Sequence, residues 1–332
     1  LTMKVVTMEI KGKGDDYFYY RLLSLLKKRI PYPIKEISRL RKSVYLIKSE
    51  PFWFIVKGYP SYQKLKTQEA FTNSLLQEGF AETYRFYVFK KEPIIIDQQV
   101  FGIMEYIKPS EKIFSYANKS NRKEAIGLLE KYYKTSENLV DIYKYIIPEH
   151  NMMKKWLERR EQFKRNIPII RYFLDEQYIQ CIEYWTDWSL ESLEKDKSCF
   201  LEGKKVVLHG DVAHHNFLHG KNNCLYLIDF DLISIGPKSV DYVQLANRFL
   251  LHINWSFSQL EKMPVFNELV KNKAFLSALV YPSDLLREWN RCIRQKNFSK
   301  KVLENYMIPL TTNQFAKRKK FADQIIQLTK II

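Results

Sequence analysis

Glycine and cysteine are scarce in this chain of 332 residues, which has ten of the first and four of the second. The cysteines, Cys181, Cys199, Cys224 and Cys292, stand far apart with no CxxC spacing. That argues against a disulfide framework or a thiolate zinc site and fits a reducing compartment. No apolar run approaches the ~18 residues of a membrane span. The first residues, Leu1 to Glu9, lack the apolar core of a signal peptide, so cytoplasmic synthesis is the expectation, whether the start is Leu1, Met3 or Met8. Acidic charge is in deficit: 37 Asp and Glu face 54 Lys and Arg, a formal charge of +17. Such an excess draws a protein toward phosphates, nucleic acid, anionic lipid or acidic protein surfaces. No nucleic-acid-binding motif accompanies it, and nucleic acid is not the expected partner. Neither a Gly-x-Ser-x-Gly elbow nor a Cys–His motif is present, which disfavours a nucleophilic hydrolase.

What is present is the composition of a folded protein, 46% hydrophobic and 15% aromatic, long enough for two lobes that each bury a core. There is no internal repeat and no low-complexity linker. The densest basic cluster, Lys317 to Lys320, reads as a solvated helix face.

The texture changes near residue 110. Before it, β-prone runs recur at Val44–Ile47, Phe52–Val56, Tyr84–Phe89 and Phe101–Met104, rich in aromatic and β-branched residues and separated by charged or Pro-containing turns. One helix interrupts them, Tyr62 to Gln77, with Leu65, Thr72 and Leu76 at helical spacing, Phe71 and Leu75 one turn apart, and Gly79 as the stop. After residue 110 helical spacing dominates: Ala125, Ile126, Leu129, Tyr132 and Tyr133, then Leu285, Trp289, Cys292 and Ile293. The expectation is an α+β, two-lobed chain. An antiparallel sheet with one helix fills 1–109, a mainly helical lobe enclosing a small β-hairpin fills 110–332, and the connection lies near Glu105 to Pro109.

The hairpin holds the chemistry. Two segments, Val206 to Leu218 and Cys224 to Asp231, read as its strands, with Phe217 opposite Ile228, Leu218 opposite Leu227, and Lys221 to Cys224 as the turn. That register sets Asn216 opposite Asp229, about 5 Å across. A carboxamide and a carboxylate suit Mg²⁺, which takes few protein oxygens and keeps water and phosphate ligands. Asp211, five residues before Asn216, would leave the preceding strand in position to accept a proton from an attacking hydroxyl.

His209-Gly210-Asp211, then Asn216, then Ile228-Asp229-Phe230-Asp231 resembles the paired motifs of the aminoglycoside phosphotransferase and choline kinase superfamily, distant relatives of protein kinases. The resemblance implies a two-lobed protein-kinase-like fold. It makes Asp211 the catalytic base, His209 a brace for the catalytic loop, Asn216 and Asp229 the metal ligands, and Asp241 a structural carboxylate. Lys57 looks like the strand lysine that contacts nucleotide phosphates, and Glu69 stands where its ion-pair partner is expected. Met104 to Ile107 looks like the hinge, with Glu105 and Ile107 supplying backbone groups to adenine.

ATP and Mg²⁺ are therefore the implied cofactors, and the hydroxyl of a small molecule or protein the implied acceptor. Length, a basic and Tyr-rich composition and the Ile-Asp-Phe-Asp form are closest to spore-coat CotS-type proteins, including the endospore coat-associated YutH type. That likeness implies spore-coat localisation and coat-protein partners. It leaves two functions open: an active phosphotransferase, or a kinase-fold scaffold of the coat with little or no turnover.

Two features bear on that choice. The loop expected to cover the phosphates, Ser38 to Tyr45, has no glycine to let backbone N–H groups approach phosphate. Arg39, Arg41 and Lys42 are either substitute ligands or solvated charges. His209, His214, His215 and His219 invite a transition-metal reading, but the loop already has a use, and His214 and His215 read as lining the substrate side or exposed. The acceptor pocket is expected between Trp156 and Trp188, near Tyr242, where the aromatics would either recognise a ligand or pack.

Overall fold

Period-two burial organises the first part of the chain. The structure, a computed structural model, describes residues 13–89 and 93–331; the reading of the N-terminal residues Leu1 to Glu9 lies outside them. Among the described residues, helix α1 (Lys13–Arg29) leads into strands β1 (Ile34–Arg41), β2 (Val44–Ser49) and β3 (Trp53–Tyr59). Helix α2 (Tyr62–Gln77) follows, then β4 (Phe86–Tyr87), β5 (Ile94–Ile96) and β6 (Gln99–Glu105). Further along come α3 (Lys119–Glu137), α4 (Met152–Ile170), α5 (Glu176–Lys195) and β7 (Lys205–Leu208), then the short β8 (Phe217–His219), β9 (Leu225–Leu227) and β10 (Ser234–Pro237). The remaining long helices are α6 (Ser239–Leu250), α7 (Lys273–Val280), α8 (Ser283–Arg294) and α9 (Phe315–Leu328).

By compactness the chain forms two units, one running to Phe114 and taking in His215–Asp231, the other made of Ser115–His214 and Leu232–Ile332. A division at residue 109 alone would leave the hairpin β8–β9 with the helices, whereas its contacts place it in the first unit. Ser110 N donates to His219 O (2.8 Å), Lys221 N to Lys108 O (3.0 Å) and Leu227 N to Glu82 O (2.9 Å). Phe114 also stacks on Phe217 at 5.2 Å.

In the first unit the antiparallel sheet runs β1-β2-β3-β6-β4, with β5 also on β6. Tyr45, Ile47, Phe54, Val56, Phe101 and Ile103 form one buried face. α1, a helix the sequence reading did not anticipate, covers it with Leu22 and Leu26, both fully buried, each contributing about 2 kcal/mol by leaving water. α2 has the predicted bounds. Ser61 caps its N-terminus by accepting from Lys64 N, and Gly79, at φ +89°, ends it with Phe80 N returning to Leu75 O (2.9 Å).

The second unit is helical apart from β7 and β10, which pair antiparallel with Val207 opposite Ile235. α4 packs on α8: Trp156 stacks on Tyr281 at 3.9 Å, and Asn166 donates to Asn290 Oδ1 at 2.8 Å. The run at 317–320 is not uniformly solvated, because Arg318 turns inward to Asp284 (2.6 Å) and lies 4.2 Å over the Trp255 ring. Among the described residues no helix is long and apolar enough to cross a membrane.

Candidate active site

Strand alternation sets Lys57 on the face of β3 opposite buried Phe54 and Val56, and its side chain is only 13% exposed. The ammonium lies 2.8 Å from Asp229 Oδ1, 2.7 Å from Asp231 Oδ2 and 5.3 Å over the Tyr59 ring. Arg41 Nη1 stands 3.9 Å from the other Asp229 oxygen. Two carboxylates two residues apart repel each other; the shared lysine makes their approach favourable.

The turn carrying them is built by α2. Lys64, Gln68 and Phe71, spaced four and three apart, form one stripe along that helix. Lys64 Nζ donates to Asp231 O (2.7 Å) and Gln68 Nε2 to Phe230 O (2.7 Å). Phe71 meets the fully buried Phe230 edge-on at 5.7 Å, and Tyr84 closes the other side at 6.0 Å. This anchoring holds Asp229 at φ +73°, a left-handed conformation that disfavours a non-glycine residue and clusters at functional sites. Burial, then the charges of Asp229 and Asp231, push the Tyr84 phenol well above its ordinary pKa.

The hairpin corrects the expected register by one residue. Phe217 faces Leu227, Leu218 faces Tyr226 and His219 faces Leu225. The turn is Lys221 to Asn223: Asn223 N donates to Gly220 O (3.1 Å), Gly220 N to Cys224 O (2.9 Å), and Asn223 sits at φ +62°. This is the three-residue hairpin loop with a left-handed last residue, which a reading with a four-residue turn misses. Asn216 is consequently opposite Ile228, whose N–H it accepts at 2.9 Å, and Asp229 lies one residue further on. Asn216 is 1% exposed and ends a short 3₁₀ turn, His214–Asn216. Asn216, Asp229, Asp231 and Lys57 thus belong to the first unit.

Asp211 and His209 belong to the second unit. The loop leaving β7 is tied to Asp241, whose carboxylate accepts from His209 N (2.8 Å), Gly210 N (3.1 Å) and Tyr133 Oη (3.1 Å). Complete burial raises the Asp241 pKa, and His209 with these hydrogen bonds works against that rise. The Asp211 N–H points to His209 Nδ1 at 3.3 Å, and Tyr116 Oη donates to Val212 O at 2.8 Å. Arg248, on α6, ion-pairs with Asp211 Oδ1 at 2.7 Å.

Other expected residues have different surroundings. Glu69 pairs with Lys66 on its own helix at 2.5 Å, so Lys57 finds its acids at 229 and 231 instead. The segment 38–45 forms the β1–β2 hairpin: Arg41 pairs with Val44, leaving a tight turn of Lys42 and Ser43, the latter at φ +58°. Glu105 ends β6, its N–H donating to Arg85 O at 2.8 Å, and Ile107 follows in the irregular segment beyond it. Trp156 is 5% exposed and Tyr242 fully buried, and the Tyr242 hydroxyl is held by Glu130; both serve packing. His215 is exposed and His214 half-buried.

Sequence reasoning assigned no role to Asp231, Lys64, Gln68 or Arg248. Only Asp231 had a signal, its place in the quoted Ile-Asp-Phe-Asp motif.

The donors fit a hard divalent cation. Asn216 and Asp229 can each present a side-chain oxygen, and the Lys57 ammonium already holds a positive charge against Asp229.

Comparison with known proteins bears on the fold. Residues 147–261 match the profile of the phosphotransferase enzyme family. No curated protein matches the chain. Among solved structures, an aminoglycoside phosphotransferase from Alicyclobacillus acidocaldarius is similar over 93% of this chain and 96% of that one, at 13% identity and TM-score 0.68. The GDP complex of wild-type aminoglycoside 2'-phosphotransferase-IIIa covers 92% and 98%, at 12% identity and TM-score 0.59. A spectinomycin phosphotransferase complexed with ADP and spectinomycin covers 98% and 100%, at 15% identity and TM-score 0.53. The chain has the two-lobed α+β kinase-like fold of these phosphotransferases, and the stretch matching the family profile contains Asp211, Asn216, Asp229 and Asp241.

Proposed function

We propose that the chain is a nucleotide-dependent phosphotransferase acting on a hydroxyl group. The observation that carries this reading is Lys57 held between Asp229 and Asp231, residues more than 170 positions away in sequence. A strand lysine beside the acid of the second motif brings together a cation for phosphate oxygens and a carboxylate for a metal, the two kinds of group that a metal-bound nucleoside triphosphate uses. The nucleotides named for the structural relatives support the same assignment.

In the reaction, the acceptor oxygen attacks the γ-phosphorus. The new O–P bond forms as the bond from γ-phosphorus to the β–γ bridging oxygen breaks, the nucleoside diphosphate leaves, and the hydroxyl proton passes to an Asp211 Oδ. Lys57 binds phosphate oxygens, and Arg41 extends the positive field beside Asp229. Mg²⁺ held by Asn216 and Asp229 would supply charge neutralisation on the phosphoryl oxygens. Asp241 and His209 keep the Asp211 loop in one conformation, so little reorganisation accompanies transfer.

A second reading is favoured by the glycine-free two-residue turn at Lys42–Ser43: a CotS-like component of the spore coat with slow or no turnover. The two are separated by following ATP consumption with amino-alcohol, sugar and coat-protein acceptors, using Asp211→Asn as control. The phosphotransferase reading expects acceptor-dependent turnover in the wild type, reduced at least about 100-fold in the variant. Equal rates in both proteins would remove Asp211 as base, and no turnover with any acceptor would favour the scaffold.

A further inference from the structure

Asp211 stands among cations that outnumber their partners. Lys155 and Arg159 lie one turn apart on α4, Arg248 on α6 and Arg287 on α8. Burial pushes the basicity of Lys155 and Arg159 down; the charge of Arg159 adds to the effect on Lys155, and that of Arg287 adds to it on both. Burial likewise lowers that of Arg248, against the pull of Asp211.

Two of the four have carboxylates at hand: Arg248 holds Asp211 at 2.7 Å and Arg287 holds Glu288 at 3.0 Å. Arg159 donates to a neutral group, Ser283 Oγ, at 3.1 Å. Among the described residues Lys155 makes no salt bridge, yet it feels the charges of Asp211 and Asp241. Asp241 is already saturated with backbone and phenol donors.

Partly buried cations of like sign that outnumber the acids beside them repel one another and lose hydration. Hydrophobic side chains would pack α4 against α8 without that cost. The arrangement becomes favourable when an anion joins it, since charge-assisted hydrogen bonds from an ammonium and a guanidinium are strong in a shielded place.

We propose that Lys155 and Arg159, with Arg287 beside them, bind an anionic group of the acceptor whose hydroxyl is delivered to Asp211. The acceptor is therefore a hydroxyl compound bearing a phosphate or carboxylate, such as a phosphorylated polyol or a hydroxy acid. It is chemically opposite to the polycationic aminoglycosides for which the structural relatives are named. This rests on the phosphotransfer reading for the hydroxyl but not for the anion site.

Calorimetric titration of inorganic phosphate into the nucleotide-free protein tests the site directly. Saturable binding is expected, about tenfold weaker in Lys155→Gln and in Arg159→Gln, and restored to within about threefold in Lys155→Arg. Because Lys155 is an uncompensated cation, Lys155→Gln is expected to melt no lower than the wild type, which separates lost binding from lost folding. Phosphate binding that is absent, or equal in the wild type and both variants, overturns the proposal.

Turnover is then compared within acceptor pairs, glycerol against glycerol 3-phosphate and glucose against glucose 6-phosphate, with choline as a cationic acceptor. Preference for the phosphorylated member of a pair, diminished in Arg159→Gln, supports the proposal. Turnover only on neutral or cationic acceptors overturns it and leaves the phosphotransferase reading intact. Variant-sensitive phosphate binding with no turnover on anything keeps the anion site and sinks the phosphotransfer.

Discussion

Gly210 shows how little freedom the catalytic loop has. It sits at φ +76°, and a Cβ there would fall 2.1 Å from the carbonyl oxygen of Leu232. Both the backbone conformation and the close approach exclude a side chain. Gly210→Ala is therefore expected to lower the unfolding free energy by at least about 2 kcal/mol in a denaturant titration; an unchanged midpoint would contradict the geometry. At this scale the sequence was informative about identity and less so about surroundings. The spacing of Asp211, Asn216 and Asp229 singled them out, and Asp241 has the structural setting its motif suggested. Arg248 on Asp211 was not legible, because no local pattern ties a residue on α6 to one 37 positions earlier. Arg318 is the converse: a run of like charges says nothing about which member turns inward, and only the fold supplies Asp284 and Trp255.

Elements set the accuracy with which those residues are placed. The register of β8–β9 depends on one conformational choice, Asn223 in the left-handed region, and a reading by strand propensity alone slipped by a residue. Asn tolerates that conformation and a β-branched residue does not. Asn223→Gly is expected to stay within about 0.5 kcal/mol of the wild type, and Asn223→Val to lose about 1 kcal/mol or more. Equal stability of the two would mean that the turn is of another kind. The bounds of α2, Tyr62 to Gln77 with Gly79 as the stop, were legible because its apolar spacing and stop signal agree. Its function was not: Glu69 was expected to reach Lys57, whereas Lys64, Gln68 and Phe71 instead hold the 229–231 turn, and that turn brings its own two acids to the lysine. α1 escaped notice although Phe18, Leu22, Leu26 and Ile30 keep helical spacing, since polar and charged residues dilute its apolar stripe.

For the whole molecule, the excess of positive charge has a measurable consequence in acid. His150, whose Nδ1 lies 3.0 Å from Ser234 Oγ, has its pKa pushed down to about 4 by burial, then by Lys155 and Arg159. A depressed histidine binds fewer protons folded than unfolded between about pH 6.5 and 4. Stability therefore rises with pH across that window and is level above it, as far as this group contributes. About 2 kcal/mol should be lost on acidification across the window, after allowance for partial solvent exposure. His150→Asn should flatten that part of the profile in chemical denaturation at a series of pH values, and an unchanged slope would contradict the assignment. The two-lobed plan itself was legible from the change of texture near residue 110. The membership of 215–231 in the sheet-bearing unit was not, because it depends on long-range hydrogen bonds to Glu82, Lys108 and Ser110.

The central claim is that Lys57, Asn216 and Asp229 form a site for a metal-bound nucleoside triphosphate. Thermal melting with ATP at about 100 times its dissociation constant, with and without Mg²⁺, tests it most directly. The wild type is expected to gain about 2.7 kcal/mol with both present, Asp211→Asn to gain the same, and Asp229→Ala to lose the magnesium-dependent part. A wild type that melts identically with and without ATP and Mg²⁺, or an Asp229→Ala protein that responds to magnesium as the wild type does, would contradict it.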